Sequence, residues 1–304
     1  MNLAPTPHEL LPYLDEPPQH PVGGFGKVPM LRLRFERRGE RSILASMERR
    51  APLLVLKTLY CDEGMPELPV VYVISNSGGI LQGDRYTMDF AVAADAFAHV
   101  TSQSATKIHE MDVNHASQIQ TITLEDGAYL EYLPEPVIPF ARSRFLMRTD
   151  VEIAPSATLL YGEILMAGRK YYGEGELFKF DVYSCAVHAK RPDGSPLFVE
   201  KYLIEPARSA VARAGVMGDY HVYGNVLLLT PPAVADAVAA RAVTGWNRGE
   251  GWAAGVSRLP NSAGLIYKIL ARESEPVRQM VRDFWTVVRA EAVGRPVHRK
   301  FPWR

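Results

Sequence analysis

Three segments of this chain, residues 89–100, 121–131 and 150–160, can be laid under one another, and each reads as strand, tight turn, strand. The turns at Ala96, Gly127 and Ser156 lie 31 and 29 positions apart. A strand sends alternate side chains to opposite faces, so a short strand pair buries its apolar face only by packing on something else. Units that recur at a period of roughly 30 residues do so by stacking on their own neighbours. The pattern therefore predicts a solenoid-like or layered β architecture rather than a run of βαβ units.

Just before the first unit stands Ser75-Asn76-Ser77-Gly78-Gly79-Ile80-Leu81-Gln82-Gly83-Asp84, three glycines and one acid between two strand-like runs. Val70 to Ile74 is β-branched and aromatic, and Tyr86, Met88 and Phe90 alternate with Thr87 and Asp89. Gly78, Gly79 and Gly83 allow a positive φ or a close backbone approach and would hold Asp84 at a fixed place on the rim of a sheet. There a carboxylate can ligate, accept a proton or simply cap the turn.

Around this centre the chain divides. Residues 1–27 carry six prolines and then Gly23, Gly24 and Gly26, which predicts a flexible leader without regular structure over most of its length. A single domain is expected over 28–304, with stacked β-sheets to residue 206 and a strand and helix part over 207–304. Alternation from Met30 predicts a hairpin turning at Arg38-Gly39-Glu40, and further strands are expected at 178–183, 197–203 and 264–270. Pro232 opens an alanine-rich helix. Ser274-Glu275-Pro276 opens a second, with Val277, Met280, Val281, Phe284, Trp285 and Val288 on one side. The expected class is mainly β, a β-dominated α+β chain with two late helices.

With 304 residues, 47% hydrophobic, the chain can bury a large core. Its 34 basic and 34 acidic residues balance, so it lacks the electrostatic footprint of a protein that binds nucleic acid or an anionic membrane, and nothing opposes association with partners. No run of about 18 apolar residues and no signal-peptide pattern is present, which predicts a cytoplasmic protein. Cys61 and Cys185, 124 positions apart, are expected as two reduced thiols.

The motifs of common nucleophiles, phosphate loops and zinc helices are absent. His109 and His115, beside Glu110 and Asp112, read as a solvated loop rather than a ligand set. Two acids stand among apolar residues instead: Glu163 in Leu159-Leu160-Tyr161-Gly162-Glu163-Ile164, and Glu200 in Leu197-Phe198-Val199-Glu200-Lys201-Tyr202. Burying an unpaired carboxylate costs several kcal/mol, so each either faces outward, pairs with a neighbour such as Lys201, or serves a function.

The ordered set Gly78 to Asp84, Thr101-Ser102-Gln103-Ser104-Ala105-Thr106-Lys107, Leu130-Glu131-Tyr132-Leu133-Pro134, Gly168-Arg169 with Gly173-Glu174, Tyr267-Lys268-Ile269-Leu270 and Trp285 resembles the D/H-type urease accessory proteins, UreD/UreH, over roughly residues 30–290. The chain departs from their pattern at His109, where an aromatic residue is usual, and at Arg299-Lys300-Phe301-Pro302-Trp303, a blurred form of a closing Pro-Arg-x-Trp. The resemblance implies a β-helix-like fold and a non-catalytic scaffold or metallochaperone. Its implied partners are apo-urease, a helical accessory protein and a GTPase accessory protein, with no permanent cofactor and transient Ni²⁺. It further implies a hydrated nickel passage touched by Asp84, Glu163 and Glu200 and lined by Thr106. Two other readings stand beside it: a carboxylate-based β-helical hydrolase, and an interaction scaffold without a metal role.

Overall fold

A computed structural model describes residues 6–15 and 26–302. The hairpin comes first, β1 (Met30–Arg38) and β2 (Arg41–Arg50), then β3 (Leu53–Leu54) and β4 (Val70–Ser75). The chain next winds in coils. β5 (Arg85–Val92), β6 (Phe97–Ser102) and β7 (Thr106–Ile108) form one coil, and β8 (Ala116–Leu124), β9 (Tyr129–Tyr132) and β10 (Val137–Pro139) the next. β11 (Arg144–Ile153) and β12 (Thr158–Met166) begin a third, continued by β13 (Val182–Lys190), and β14 (Pro196–Ile204) returns antiparallel. The remainder is β15 (Val222–Leu229), helix α1 (Pro232–Arg241), β16 (Gly245–Asn247), β17 (Trp252–Arg258), β18 (Gly264–Ala271) and helix α2 (Ser274–Val293).

Two sheets result. One runs β14-β13-β11-β8-β5-β1-β2; the other runs β16-β17-β18-β15-β12-β9-β6-β4-β3, with β10 and β7 joined to it through β12. The coil strands are parallel, and their register stacks the repeated segments from the first residue: Asp89 lies opposite Thr121, and Thr121 opposite Asp150. The turns stack too. The Ser156 hydroxyl donates to Asp126, 2.7 Å, and accepts from the Gly127 N–H, 3.0 Å. Gly127 has φ +67°, and a Cβ there would stand 2.3 Å from the Asp95 carboxylate, so this turn requires glycine.

Leu31, Leu33, Phe35, Phe90 and Phe145 fill the space between the sheets. The apolar side of α2, Val277, Val281, Phe284, Trp285 and Val288, packs on the outer face of the larger sheet. Each such side chain contributes about 1.5–3 kcal/mol by leaving water. Gly294, φ +77°, ends the helix in the left-handed conformation. Among the described residues no helix is long and apolar enough to cross a membrane.

The structure departs from the sequence reading in three places. Within the expected flexible leader, His8–Tyr13 form a 3-10 helix with Leu10 fully buried and Glu9 bonded to Ser184, 2.6 Å, and Lys201, 2.6 Å; the rest of the leader before Gly26 lies outside the described residues except for the flanks of that turn. Apolar contact by Leu10 and the two contacts of the buried Glu9 carboxylate thus override a proline-rich composition. The strand expected at 178–183 runs instead over Val182–Lys190, because Phe178 takes φ +54° and Phe180 is spent on the core. β15 and the β16–β17 hairpin have no counterpart in the sequence reading.

Candidate functional site

The inward faces of the coil strands are not wholly apolar. Gln118 donates to Gln120, 3.1 Å; the Tyr132 hydroxyl donates to Gln120 Oε1, 2.7 Å; and Gln120 Nε2 donates to Thr149, 2.8 Å, and to Tyr161, 3.3 Å. The Tyr161 hydroxyl donates in turn to Glu163. Four strands of two sheets, β8, β9, β11 and β12, therefore carry one hydrogen-bonded file through the core, each member satisfied by the next. Beside it lies a cavity of about 160 Å³ that Gly78, Gly79, Thr106, Gln120, Tyr132 and Glu163 help to line.

The glycine stretch shapes one end of this cavity. Gly79 has φ +151°, and a Cβ would stand 2.7 Å from both the His109 ring and the Lys107 carbonyl; this close approach lets Ile80 N–H donate to Lys107 O, 2.8 Å. Gly83, φ +76°, turns the chain into Asp84. Asp84 is fully buried: Oδ1 accepts from Lys27 N–H, 2.9 Å, and Oδ2 from Leu81 N–H, 3.0 Å. Burial raises its carboxyl above the ordinary value, against the pull of those two donors. It does not itself line the cavity; burial pushes up the phenol of Tyr86, which does, and the nearby Asp84 adds to the rise.

Glu163 lines the same cavity and is 4% exposed. Its oxygens accept from Tyr161, from Tyr202, 3.1 Å, and from the Cys185 thiol, 3.4 Å to each oxygen. Burial raises its carboxyl above the ordinary value, and Glu200 nearby adds to the rise. Glu200 pairs with Lys268, 2.6 Å, not with its neighbour Lys201, which reaches Glu9 instead. Thus Glu163 and Glu200 come together, with Thr106 lining the same cavity as Glu163, whereas Asp84 stands beyond the glycine end. Among the described residues no three His, Cys, Asp or Glu side chains converge as a metal cluster.

The His109 and His115 stretch is a loop with Glu110 and Asp112 exposed, but its two histidines pack against the protein. His115 is buried, its Nδ1 3.0 Å from the Tyr13 carbonyl, and the His109 ring packs 4.9 Å from Phe140, filling the aromatic place it departs from. Cys61 is exposed and Cys185 buried, both as free thiols.

A second polar cluster lies on the outer face of the larger sheet. Arg289 of α2, wholly buried, donates through Nε and a terminal nitrogen to the two oxygens of Glu131, 2.7 Å each, and through its other terminal nitrogen to Asp62. His99 Nδ1 and the Tyr129 hydroxyl add contacts to Glu131 at 2.8 and 2.7 Å. Burial alone would raise the Glu131 carboxyl, but Arg289 outweighs it and holds the group well below the carboxylate range. His99 stacks on Trp285, 5.1 Å, with Phe301 edge-on at 5.0 Å, so the altered closing segment keeps an aromatic anchor; Trp303 lies outside the described residues. Sequence reasoning missed this cluster. Its signal was Arg289, one turn beyond Trp285 on the apolar side of the helix.

The stacked coils with a polar file inside and a helix clamped outside define the class. The UreD urease accessory protein family matches residues 28–304. The urease accessory protein UreD 2 of Brucella suis biovar 1 (strain 1330) is 54% identical over 295 residues, covering 97% of this chain and 98% of the relative. Urease accessory protein UreD of Photorhabdus laumondii is 50% identical over 303 residues, covering 100% and 94%. That of Yersinia enterocolitica is 49% identical over 302 residues, covering 97% and 92%. The chain belongs to the UreD urease accessory protein family.

Proposed function

We propose that this chain serves urease maturation without catalysing a reaction, as a cytoplasmic scaffold that joins apo-urease to a helical accessory protein and a GTPase accessory protein and gives Ni²⁺ a path through its interior. Ni²⁺ is the cargo here and no resident cofactor is invoked. The observation that carries the reading is the hydrogen-bonded file inside the coils, which ends on Glu163, a buried carboxylate given only neutral donors. Hydroxyl and amide oxygens replace part of an ion's hydration shell without binding it tightly, and carboxylates hold Ni²⁺ less firmly than thiolate or imidazole sets. A cation would dwell at Glu163, supplying the positive charge that its two tyrosines and its thiol do not. Asp84, off the cavity wall, holds the glycine turn that helps shape it, and Thr106 adds a hydroxyl to that wall.

The hydrolase reading needs two carboxyls flanking an open, sugar-sized cleft. Glu163 instead sits in the core on the wall of a cavity of about 160 Å³, which favours the passage. The test is co-expression of the chain with a urease operon lacking its own D-type gene, reading urease activity and nickel content. Glu163→Gln and Glu200→Gln should leave the chain folded and assembled while both readouts fall. Full activation by the double variant would sink the proposal.

A further inference from the structure

Asn225 of β15 lies directly opposite Glu163 of β12 on one side and opposite Lys268 of β18 on the other. In antiparallel pairs such residues share a face with Cβ atoms about 4.5–5.5 Å apart, so three strands set Glu163, Asn225 and Lys268 in a row. Glu200 reaches the same row from the facing sheet: its Oε2 accepts from Asn225 Nδ2, 3.2 Å, and its Oε1 pairs with Lys268 Nζ, 2.6 Å. Asn225 is 1% exposed, and its Oδ1 is buried without a hydrogen-bond partner among the described residues. Turning the amide over does not help. It would set Oδ1 against the Glu200 carboxylate and strand the NH₂ group, so Glu200 fixes the orientation and leaves one amide oxygen in need of a positive partner.

We propose that Glu163, Asn225 and Glu200 form an all-oxygen divalent-cation site, with Asn225 Oδ1 as its neutral ligand and the Lys268 ammonium as the counter-charge that holds Glu200 while the site is empty. The charges fit. Two carboxylates balance one divalent ion, whereas Lys268 alone balances one, leaving Glu163 without a cation of its own. Lys268 is suited to yield because its side chain is about half exposed, 48%, and can swing into solvent. A carbonyl oxygen in place of a third carboxylate keeps the site weak, as a transfer station requires.

The inference rests on the passage reading, but it is tested by binding alone. Calorimetric titration of the full chain with NiCl₂ in a non-chelating buffer should show a saturable component that Glu163→Gln with Glu200→Gln removes. Asn225→Leu, of similar shape, should weaken that component roughly 10-fold or more, the usual effect of losing a supporting oxygen at a metal site. Lys268→Met, a change at a half-exposed position that leaves the core intact, should strengthen it, since no ammonium then competes for Glu200. Wild-type affinity in both single variants would overturn the site, and so would a component untouched by the double acid variant. If binding shifts as expected while urease activation stays at the wild-type level, the site stands and the passage falls. If Glu163→Gln abolishes activation while Asn225→Leu and Lys268→Met bind Ni²⁺ as wild type does, the passage stands and the site falls.

Discussion

Glu131 and Glu163 sit on neighbouring strands of one sheet, both shielded from water, and their surroundings are opposite. Glu131 faces outward under α2, where Arg289 takes both its oxygens and Asp62, His99 and Tyr129 complete the cluster. Glu163 faces inward, where two tyrosines and a thiol donate hydrogen bonds but supply no charge. The alternation of strand side chains makes this difference: Glu131 lies opposite Leu160 on β12, and Tyr132 opposite Tyr161, two residues before Glu163 on the inward face. A buried acid with its cation built in welds elements together. On the proposed function, one left without a cation is kept for the ion that arrives.

The comparison can be broken most forcefully at Arg289. Arg289→Met leaves Glu131 and Asp62 buried without a cation, and breaking a buried pair in this way should cost about 3–5 kcal/mol in urea unfolding. Adding Glu131→Gln to that variant should restore part of the loss, because the orphaned charge is then gone. Trp285→Ala, which empties the space under His99 and Phe301, should cost a similar amount, about 3–5 kcal/mol. A wild-type unfolding midpoint for either would show that the clamp is not structural.

The two acids should also respond to pH in opposite senses. The Glu131 carboxyl is held below its ordinary value of 4.5, so its stabilisation is complete above that pH and is lost as pH falls through the folded-state value. The Glu163 carboxyl is raised above 4.5, so ionising it as pH rises through the folded-state value removes stability. Urea midpoints measured against pH should therefore fall less as pH rises above 4.5 in Glu163→Gln, which should be at least as stable as wild type at neutral pH. Glu131→Gln should instead lose stability at neutral pH. Tyr202→Phe, which removes one donor from Glu163, should cost only about 1 kcal/mol. Smallest of all, breaking the exposed Arg258–Asp236 pair should change stability by less than about 1 kcal/mol.

Much of the scaffold is legible in the sequence because its stabilising pattern is local and repeated. The overlay of residues 89, 121 and 150 is the observed register, and the two late helices begin where Pro232 and Ser274 place them. β15 was hidden because its run Val226 to Leu229 is buried on both faces and loses the alternation that marks a half-exposed strand. The acids Glu163 and Glu200 stood out by their apolar neighbours. Their actual partners did not, since Lys268 and Asn225 come from strands far along the chain, and Glu131 and Arg289 are 158 positions apart. Only the pairing of strands brings such residues together.

The most direct measurement of the central difference is urease activity and nickel content per folded, assembled molecule, for Glu163→Gln and Glu131→Gln side by side, in a urease operon lacking its own D-type gene. The expected result is that Glu163→Gln folds and assembles fully yet delivers little nickel, while Glu131→Gln yields less folded protein whose surviving fraction activates urease normally. Normal activation by Glu163→Gln, or failed activation by fully folded and assembled Glu131→Gln, would contradict the assignment of one acid to transfer and the other to the fold.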